Sequence, residues 1–587
     1  MLSPFTLPAR QRRVAPRSGA FAAVFSGAGR FSASVEQLMA AASLFWALAA
    51  NRLFFGAALK DRGLAEPATW GYALALLVML TAVNYLLLSL VCTRRTVKPV
   101  LAVLLLGTAF ATHFMQAYGV YLDPSMLRNA LRTDLAEARE LFSWALLPHL
   151  ALYALLPLLL LWRVQVRPQR WARAIGLRLG STLLALAALV GALLLVFQPF
   201  ASAMRNHKEM RYLATPANYL WSMGAVAAAQ ARGAAKPRQP IGLDARPGTA
   251  YAARTRPLLV VLVVGETARA ANWGLNGTAR QTTPELAALA ARNGQPDAGT
   301  LLNFRDVTAC GTNTETSVPC MFAPVGRRDY DEAQIRGSES LLHVAARAGV
   351  AVHWRDNQSG CKGVCDGLPT DDVAALKLPG LCADGRCLDE GLLSGLDERL
   401  ATATQQAGTP AGTQLLVLHT LGNHGPSYFR RYPPAYARFQ PACTSDDLQL
   451  CSREQIANAY DNALLYTDHV LAALMARLQA AAADVDSVVL YVSDHGESLG
   501  ENNLYLHGLP YAIAPDVQKR VPMTLWLSPG APQALQLDTG CLGARTAQPL
   551  AHDHLFHTLL GLLDVKTGLY EAPFDLAQGC RAAPAAG

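Results

Sequence analysis

The sequence predicts a membrane-embedded bundle of five helices followed by an α/β domain. Three observations carry that reading: apolar stretches of bilayer length crowd the first 200 residues, the second half alternates short β-branched runs with helical patterns, and a segment rich in Ala, Pro, Gly and Arg lies between. A chain of 587 residues is too long for one ordinary domain. Its hydrophobic content of 52% is unevenly spread, most of the excess lying before residue 200, so it is not one uniformly apolar globule.

The first 37 residues form a basic tail. It lacks an apolar core followed by a small-residue cleavage site, so it reads as retained rather than as a signal peptide. Residues 38–200 hold five stretches close to the roughly 20 residues that cross a bilayer as a helix. They run Leu38–Leu59, Trp70–Cys92, Val100–Leu122, Trp144–Trp162 and Leu179–Phe200. Asn51 and Arg52 interrupt the first, whereas Pro148 and Pro157 in the fourth are tolerated in a membrane helix.

Basic residues set the orientation. Arg10, Arg12, Arg13, Arg17 and Arg30 lie in the tail, Arg94, Arg95 and Lys98 in the second-to-third loop, and Arg163, Arg167, Arg170, Arg173 and Arg178 in the fourth-to-fifth loop. With five spans all three groups face one side, which the positive-inside rule makes cytoplasmic. The net charge of +8 therefore reports topology and not nucleic-acid binding. Residues 201–256 bridge the halves: Arg205–Tyr219 mixes apolar and basic residues like an interfacial helix, and Gly233–Arg256 reads as a linker. Residues 257–587 are then periplasmic.

That last segment reads as an α/β sheet protein. Leu258–Val264, Val350–Trp354, Gln414–His419, Val488–Val492 and Met523–Leu527 are apolar runs of the kind buried on both faces, and helical patterns lie at Glu285–Arg292, Ser340–Ala348 and Gln455–Ala480. Ten of the eleven cysteines follow residue 300. They fall in near pairs, Cys310 with Cys320, Cys361 with Cys365, Cys382 with Cys387 and Cys443 with Cys451, which leaves Cys541 to Cys580. Paired cysteines imply disulfides and an oxidising compartment; the competing reading, zinc coordination, lacks the usual knuckle pattern. Topology and cysteine usage point to the same compartment.

Functional residues of such sheets gather at the carboxyl ends of strands. Glu266, His419 and Asp494-His495 each stand at such an end. Glu266, Asp494 and His495 supply carboxylate and imidazole ligands that suit zinc, with Thr314 as a fourth ligand and as the nucleophile. A threonine hydroxyl is a poor nucleophile until a cation lowers its pKa, and a helix start favours a bound phosphate. His419, His424 and His507 suit a second metal or acid–base work, and Lys362, between Cys361 and Cys365, could offset charge on a pentacoordinate phosphate. The cluster His552, Asp553, His554 and His557 imitates a metal box, but it opens an apolar helical run and reads as helix capping.

Several motifs resemble the phosphoethanolamine transferases that modify lipid A, a family that includes the mobile colistin-resistance enzymes. They are Gly265-Glu266-Thr267-Ala268-Arg269, Cys310 to Thr314 with Ser317-Val318-Pro319-Cys320-Met321-Phe322, Asp356 to Asp366 around Ser359-Gly360-Cys361-Lys362, Gly422 to Pro426, and Ser493-Asp494-His495-Gly496-Glu497-Ser498. Tyr118-Gly119-Val120 and Arg205-Asn206-His207-Lys208 extend the likeness to nearly all the chain beyond residue 35. The resemblance implies an alkaline-phosphatase/sulfatase-like α/β/α domain behind the membrane helices. It implies one tightly bound zinc with room for a second, phosphatidylethanolamine as donor and a lipid A (lipopolysaccharide) phosphate as acceptor.

The same resemblance places the nucleophile at Thr314 and the zinc ligands at Glu266, Asp494 and His495. It places His419, His424, His507 and Lys362 at phosphate or second-metal positions, and Asn129, Thr133, Glu137 and Ser359 around the donor head group. The expected enzyme is a multi-pass inner-membrane protein, a monomer that binds no nucleic acid, conferring polymyxin resistance by making the surface less anionic. Glu315 departs from the pattern, standing where the family has a small apolar residue. Two other readings stay open: the same chemistry on a core sugar, and hydrolysis with water as acceptor. A sulfatase is disfavoured, since Cys320 is followed by Met321-Phe322-Ala323 and not by x-Pro-x-Arg. A catalytically dead scaffold would need every metal residue to be structural.

Overall fold

The computed structural model describes residues 31–581, apart from 61, 134, 235–236, 250–253, 255, 296, 384 and 406–411. The basic tail up to Arg30 and part of the expected linker lie outside the described residues. Among the described residues four helices are long and apolar enough to cross a membrane, Pro67–Val91, Val97–Tyr118, Leu146–Arg163 and Trp171–Leu195; a fifth span forms if the bent pair Val35–Ala50 and Arg52–Ala58 counts as one.

That pair occupies the first expected stretch, Leu38–Leu59, and bends by 61° at the interruption read at Asn51 and Arg52. Asn51 is the reason. Its fully buried amide donates to Trp46 O and Thr215 O, both at 2.8 Å, and accepts from Thr215 N at 2.9 Å. A side chain that takes over backbone hydrogen bonds makes a break affordable inside an apolar bundle. On the opposite flank Ser32–Ala33 pairs with Gln165–Val166. The end of the tail thus meets the fourth-to-fifth loop, which puts two of the basic segments on one side.

The bridge also differs from expectation. The interfacial helix foreseen at Arg205–Tyr219 is instead a seam: a helix Phe197–Asn206, a 3-10 turn Lys208–Leu213, then a helix Ala217–Ala234. Pro216 has no N–H to continue the ladder and Thr215 is committed to Asn51, so the chain turns there.

The second half is built on an eight-stranded sheet. In spatial order its strands are Leu550–Ala551, Thr300–Thr308, Arg520–Leu527, Asp486–Ser493, Leu258–Gly265, Thr413–His419, Ala351–Asp356 and Thr370–Asp372. Only Arg520–Leu527 runs antiparallel to its neighbours. All five strands expected from apolar runs are present. Thr300–Thr308 was not foreseen, because Asn303, Arg305 and Asp306 break its apolar run.

Every residue of Leu258–Gly265 is buried, since helices cover both faces. Leu259, Val261 and Val263 pack in one cluster with Ile456, Tyr460, Leu464 and Leu471 of the helix Arg453–Ala480. Leu258, Val260, Leu262 and Val264 pack in another with Leu341 and Val344 of Leu341–Arg347 and Phe556 and Leu559 of Asp553–Leu562. The architecture is therefore α/β/α. Five disulfides join the ten cysteines in the near-pair order, Cys310–Cys320, Cys361–Cys365, Cys382–Cys387, Cys443–Cys451 and Cys541–Cys580, and Cys92 is free and buried.

Candidate active site and metal centre

Parallel pairing in register brings the strand ends together. Ser493 lies beside Gly265, so Glu266 and Asp494 leave the sheet side by side, and Asp494 N donates to Gly265 O at 2.8 Å. Gly422, with φ of +51°, lets the neighbouring loop touch Glu266; a Cβ there would come within 2.7 Å of Glu266 O. Facing them is the helix Thr314–Met321. Asn313 caps it by accepting from Thr316 N at 2.9 Å, which puts Thr314 in its first turn. Ser317 Oγ then donates to Asp494 O at 2.5 Å, anchoring the helix to the strand end.

Thr314 Oγ lies 3.1 Å from Glu266 Oε2 and 3.4 Å from His495 Nε2. His495 Nε2 lies 3.3 Å from both Glu266 Oε1 and Asp494 Oδ2. Its Nδ1 is 2.9 Å from Gly496 O, so a hydrogen there donates to the carbonyl and turns the Nε2 lone pair inward. Among the described residues this is the one group of three His, Cys, Asp or Glu side chains whose ligand atoms all converge within 4.8 Å.

Its electrostatics fit a cation. All three side chains are fully buried and Asp494 Oδ2 has no hydrogen-bond partner. Burial and the adjacent Glu266 carboxylate push Asp494 up to about 6. Burial disfavours charge on Glu266 too, yet the His495 hydrogen bond holds it well below the usual carboxylate range. Burial alone would depress His495, but Asp494 and Glu266 raise it to about 10. Two buried carboxylates thus demand positive charge between them, and a divalent cation supplies it without a proton.

Two imidazoles gather beside this group, His507 with its ring 4.4 Å from His495 and 5.5 Å from that of His424. His507 Nδ1 meets Glu497 Oε2 at 3.2 Å; burial and the neighbouring imidazoles depress His507, and burial pushes Glu497 up to about 8. His424 Nε2 is 3.4 Å from Glu137 Oε1, a carboxylate delivered by the helix Leu135–Glu140 ahead of the fourth span. Glu137's side chain is only 12% exposed, so it is not a solvated helix-surface charge. Asn129 lies on the helix Pro124–Arg132 and Thr133 Oγ caps it through Asn129 O at 3.0 Å.

On the other side His419 Nδ1 meets Asp356 Oδ2 at 2.9 Å, leaving Nε2 without a partner. Lys362 Nζ donates to Ser359 O at 3.0 Å and lies 4.0 Å from Glu315 Oε1. The histidines His552 to His557 hold no ion-binding group: His552 bridges Cys310 N and Ser493 O, and Asp553 accepts from the backbone of Arg327 and Arg328. Asp553 therefore caps a neighbouring turn and not its own helix.

Sequence reasoning assigned no role to four participants: Asp356, Glu497, Gln358, whose Nε2 donates to Glu266 Oε2 at 3.2 Å, and Arg431, which binds His424 O at 2.7 Å and ion-pairs with Glu140. Asp356 and Glu497 stand inside motifs already noted, but only burial and side-chain direction give them work.

A strand-end carboxylate–imidazole group facing a hydroxyl at a helix start, on an α/β/α sheet, defines a sulfatase-type domain. The sulfatase family model matches residues 259–565, and the model described as phosphoethanolamine transferase EptA/EptB matches residues 80–231. Phosphoethanolamine transferase EptA of Escherichia coli K12 is 38% identical over 489 residues, 82% of this chain and 86% of that protein. Phosphatidylethanolamine transferase Mcr-1 of Escherichia coli is 37% identical over 545 residues, 91% of this chain and 96% of its own. The integral membrane lipooligosaccharide phosphoethanolamine transferase A of Neisseria meningitidis superposes with a TM-score of 0.87 at 35% identity, covering 94% of this chain and all of that one. The chain belongs to the phosphoethanolamine transferase EptA/EptB family, and is a membrane protein with a sulfatase-like catalytic domain.

Proposed function

We propose that this protein is an inner-membrane enzyme that moves phosphoethanolamine from phosphatidylethanolamine to a lipid A phosphate, with Thr314 carrying the group between them. The observation that carries the reading is Thr314 Oγ at 3.1 Å from Glu266 and 3.4 Å from His495, inside a buried group that demands a cation. Glu266, Asp494 and His495 would hold a zinc ion. Such an ion lowers the pKa of an oxygen bound to it, so a threonine can act at neutral pH.

Thr314 Oγ attacks the donor phosphorus, the bond to diacylglycerol breaks, and diacylglycerol leaves with a proton. An oxygen of the acceptor phosphate then attacks the same phosphorus, the bond to Thr314 Oγ breaks, and Thr314 recovers its proton. His424 and His507 stand where protons must move, and His419 and Lys362 supply positive charge for the phosphoryl oxygens. Glu137, with Asn129, Thr133 and Ser359, receives the ethanolamine ammonium. Burial resists charge on Glu137, but His424 holds its carboxyl below the ordinary range, so it is anionic at neutral pH.

We place the tail at 1–37, the membrane domain at 38–200, the bridge at 201–256 and the periplasmic catalytic domain at 257–587. A monomer suffices, since one chain supplies every site residue. The product carries an added ammonium, so the outer surface is less anionic and binds polymyxins more weakly. Membranes supplied with labelled phosphatidylethanolamine test this: labelled lipid A is expected from the wild type and none from Thr314→Ala, whose fold should persist. Release of free phosphoethanolamine with unlabelled lipid A would make the enzyme a hydrolase, and label confined to core sugar would move the acceptor.

A further inference from the structure

A cavity of about 680 Å³ lies between the helix Pro124–Arg132, the bridge and the catalytic domain, within the roughly 300–1,000 Å³ that holds a ligand-sized molecule. Its wall carries Arg132 from the membrane half, Arg238 from the bridge, and Arg336 and Lys362 from the catalytic domain. Three of these cations converge on one carboxylate. Glu315 Oε2 accepts from Arg132 Nη1 at 2.9 Å and lies 3.4 Å from Arg336 Nη2, and Glu315 Oε1 lies 4.0 Å from Lys362 Nζ.

Glu315 is fully buried and follows Thr314 directly, so this carboxylate sits on the nucleophile's own helix. Arg336 also donates to Glu315 O, the carbonyl that Pro319, lacking an N–H, leaves without its helical partner. Arg238 closes the far wall by donating to Gly363 O and pairing with the exposed Asp366 at 2.8 Å. Arg132, Arg336 and Lys362 thus arrive from three separate stretches of chain and share the buried Glu315, while Arg336 also pairs with Glu332 at 2.9 Å and Glu339 and Asp366 stand elsewhere on the wall.

We infer that this cavity is the subsite for the phosphomonoester of the acceptor lipid, with Glu315 holding the phosphate's place among Arg132, Arg336 and Lys362 until it arrives. The assignment rests on the acceptor proposed above and goes beyond it by naming the residues. The chemistry separates it from the donor site: the donor head group brings an ammonium and needs the Glu137 carboxylate, whereas this cavity offers converging guanidinium groups matched to a phosphate dianion. Lys362, Ser359 and Glu315 line the cavity, and Glu315 follows Thr314 in the same helix, so a phosphate held here is one residue along the chain from the nucleophile. The helix Pro124–Arg132 follows the span Val97–Tyr118 by a short loop, so the cavity opens near the bilayer surface, where a phosphorylated sugar on acyl chains would stand.

Two substitutions break the same ion pair and should act in opposite directions. Full-length protein in phosphatidylethanolamine vesicles is titrated with lipid A, and diacylglycerol release and labelled lipid A are measured separately, with inorganic phosphate as a competing probe. Arg336→Gln removes a phosphate donor and should raise the acceptor KM on the order of tenfold or more. Glu315→Gln removes the competing anion and should lower that KM several-fold and tighten inhibition by phosphate. Shifts in the same direction, or equal loss of diacylglycerol release and transfer, would mean a structural ion pair and overturn the assignment. Diacylglycerol release without labelled lipid A in the wild type would instead refute the acceptor itself, and this subsite with it.

Discussion

Replacing Asp356 by asparagine tests whether His419 works as a cation. The Asp356 carboxylate accepts from His419 Nδ1 at 2.9 Å, Trp354 Nε1 at 2.8 Å, Gln358 N at 2.8 Å and Gly360 N at 3.0 Å. Burial favours the neutral form of both partners, but their pairing reverses it: His419 is raised above its ordinary 6.5, and Asp356 falls to about 2. An asparagine keeps the shape and removes the charge. Burial, with the Lys362 cation, then opposes charge on the imidazole against the attraction of Glu266 alone, so the expected imidazole is neutral at pH 7 and stops offering a charged donor to a phosphoryl oxygen. One charge-assisted hydrogen bond contributes about 1.5–3 kcal/mol, or about 10- to 150-fold in rate.

Transfer by Asp356→Asn at pH 7 should therefore fall by that factor and recover partly on acidification, as His419 regains its proton. The stability signs are separate. Asp356, with its lowered pKa, stabilises the fold above about 3.8 and loses that contribution as pH falls toward about 2. His419, with its raised pKa, contributes fully below 6.5 and loses it as pH rises through the folded value. The difference in unfolding temperature between wild type and variant should thus be greatest between about pH 4 and 6.5. A folded variant that transfers within threefold of wild type, with an unchanged pH profile, would show that His419 never needed its charge.

Three further outcomes are expected. Metal binding must displace the His495 proton, so the apparent affinity measured against a chelator should rise about tenfold per pH unit between about 6 and 10, and more steeply below about 6, where Asp494 is also protonated. Arg431, its side chain 1% exposed, pairs with Glu140, which also pairs with Arg386 at 3.0 Å; Glu140→Ala should destabilise the protein by about 3–5 kcal/mol, and Glu140→Met with Arg431→Met should restore only part of the thermal stability, since Arg386 still lacks that carboxylate. Glu137→Gln should raise the donor KM on the order of tenfold with the unfolding temperature little changed, and an unaltered KM would remove Glu137 from the head-group site.

The metal residues were legible because strand-end chemistry is local. A run such as Leu258–Val264 announces a doubly buried strand, and the residues that follow it enter the crevice, as Glu266 and Asp494-His495 do two and three positions after their runs. The spans were legible for a similar reason, as bilayer thickness sets a length that hydropathy can count. Thr300–Thr308 escaped because Asn303, Arg305 and Asp306 interrupt its apolar run, and the first span's bend escaped because its cause, Asn51 bonded to Thr215, joins residues 164 apart.

Glu315 is the sharpest case. Its sequence neighbours allowed it to face inward and perturb Thr314, or to point away along the helix; its actual surroundings are Arg132, Arg336 and Lys362, brought from three distant segments. The sequence by itself determined the order of the two halves and which side chains would stand at the strand ends and at the facing helix start, Glu266, Asp494, His495 and Thr314, because periodicity and capping act over a few residues. Only the tertiary structure decided which buried charges meet, among them Glu137 with His424, Asp356 with His419 and Glu315 with its cations. A buried charge is tolerated only where another chain segment supplies its partner, and that partner's identity is a property of packing.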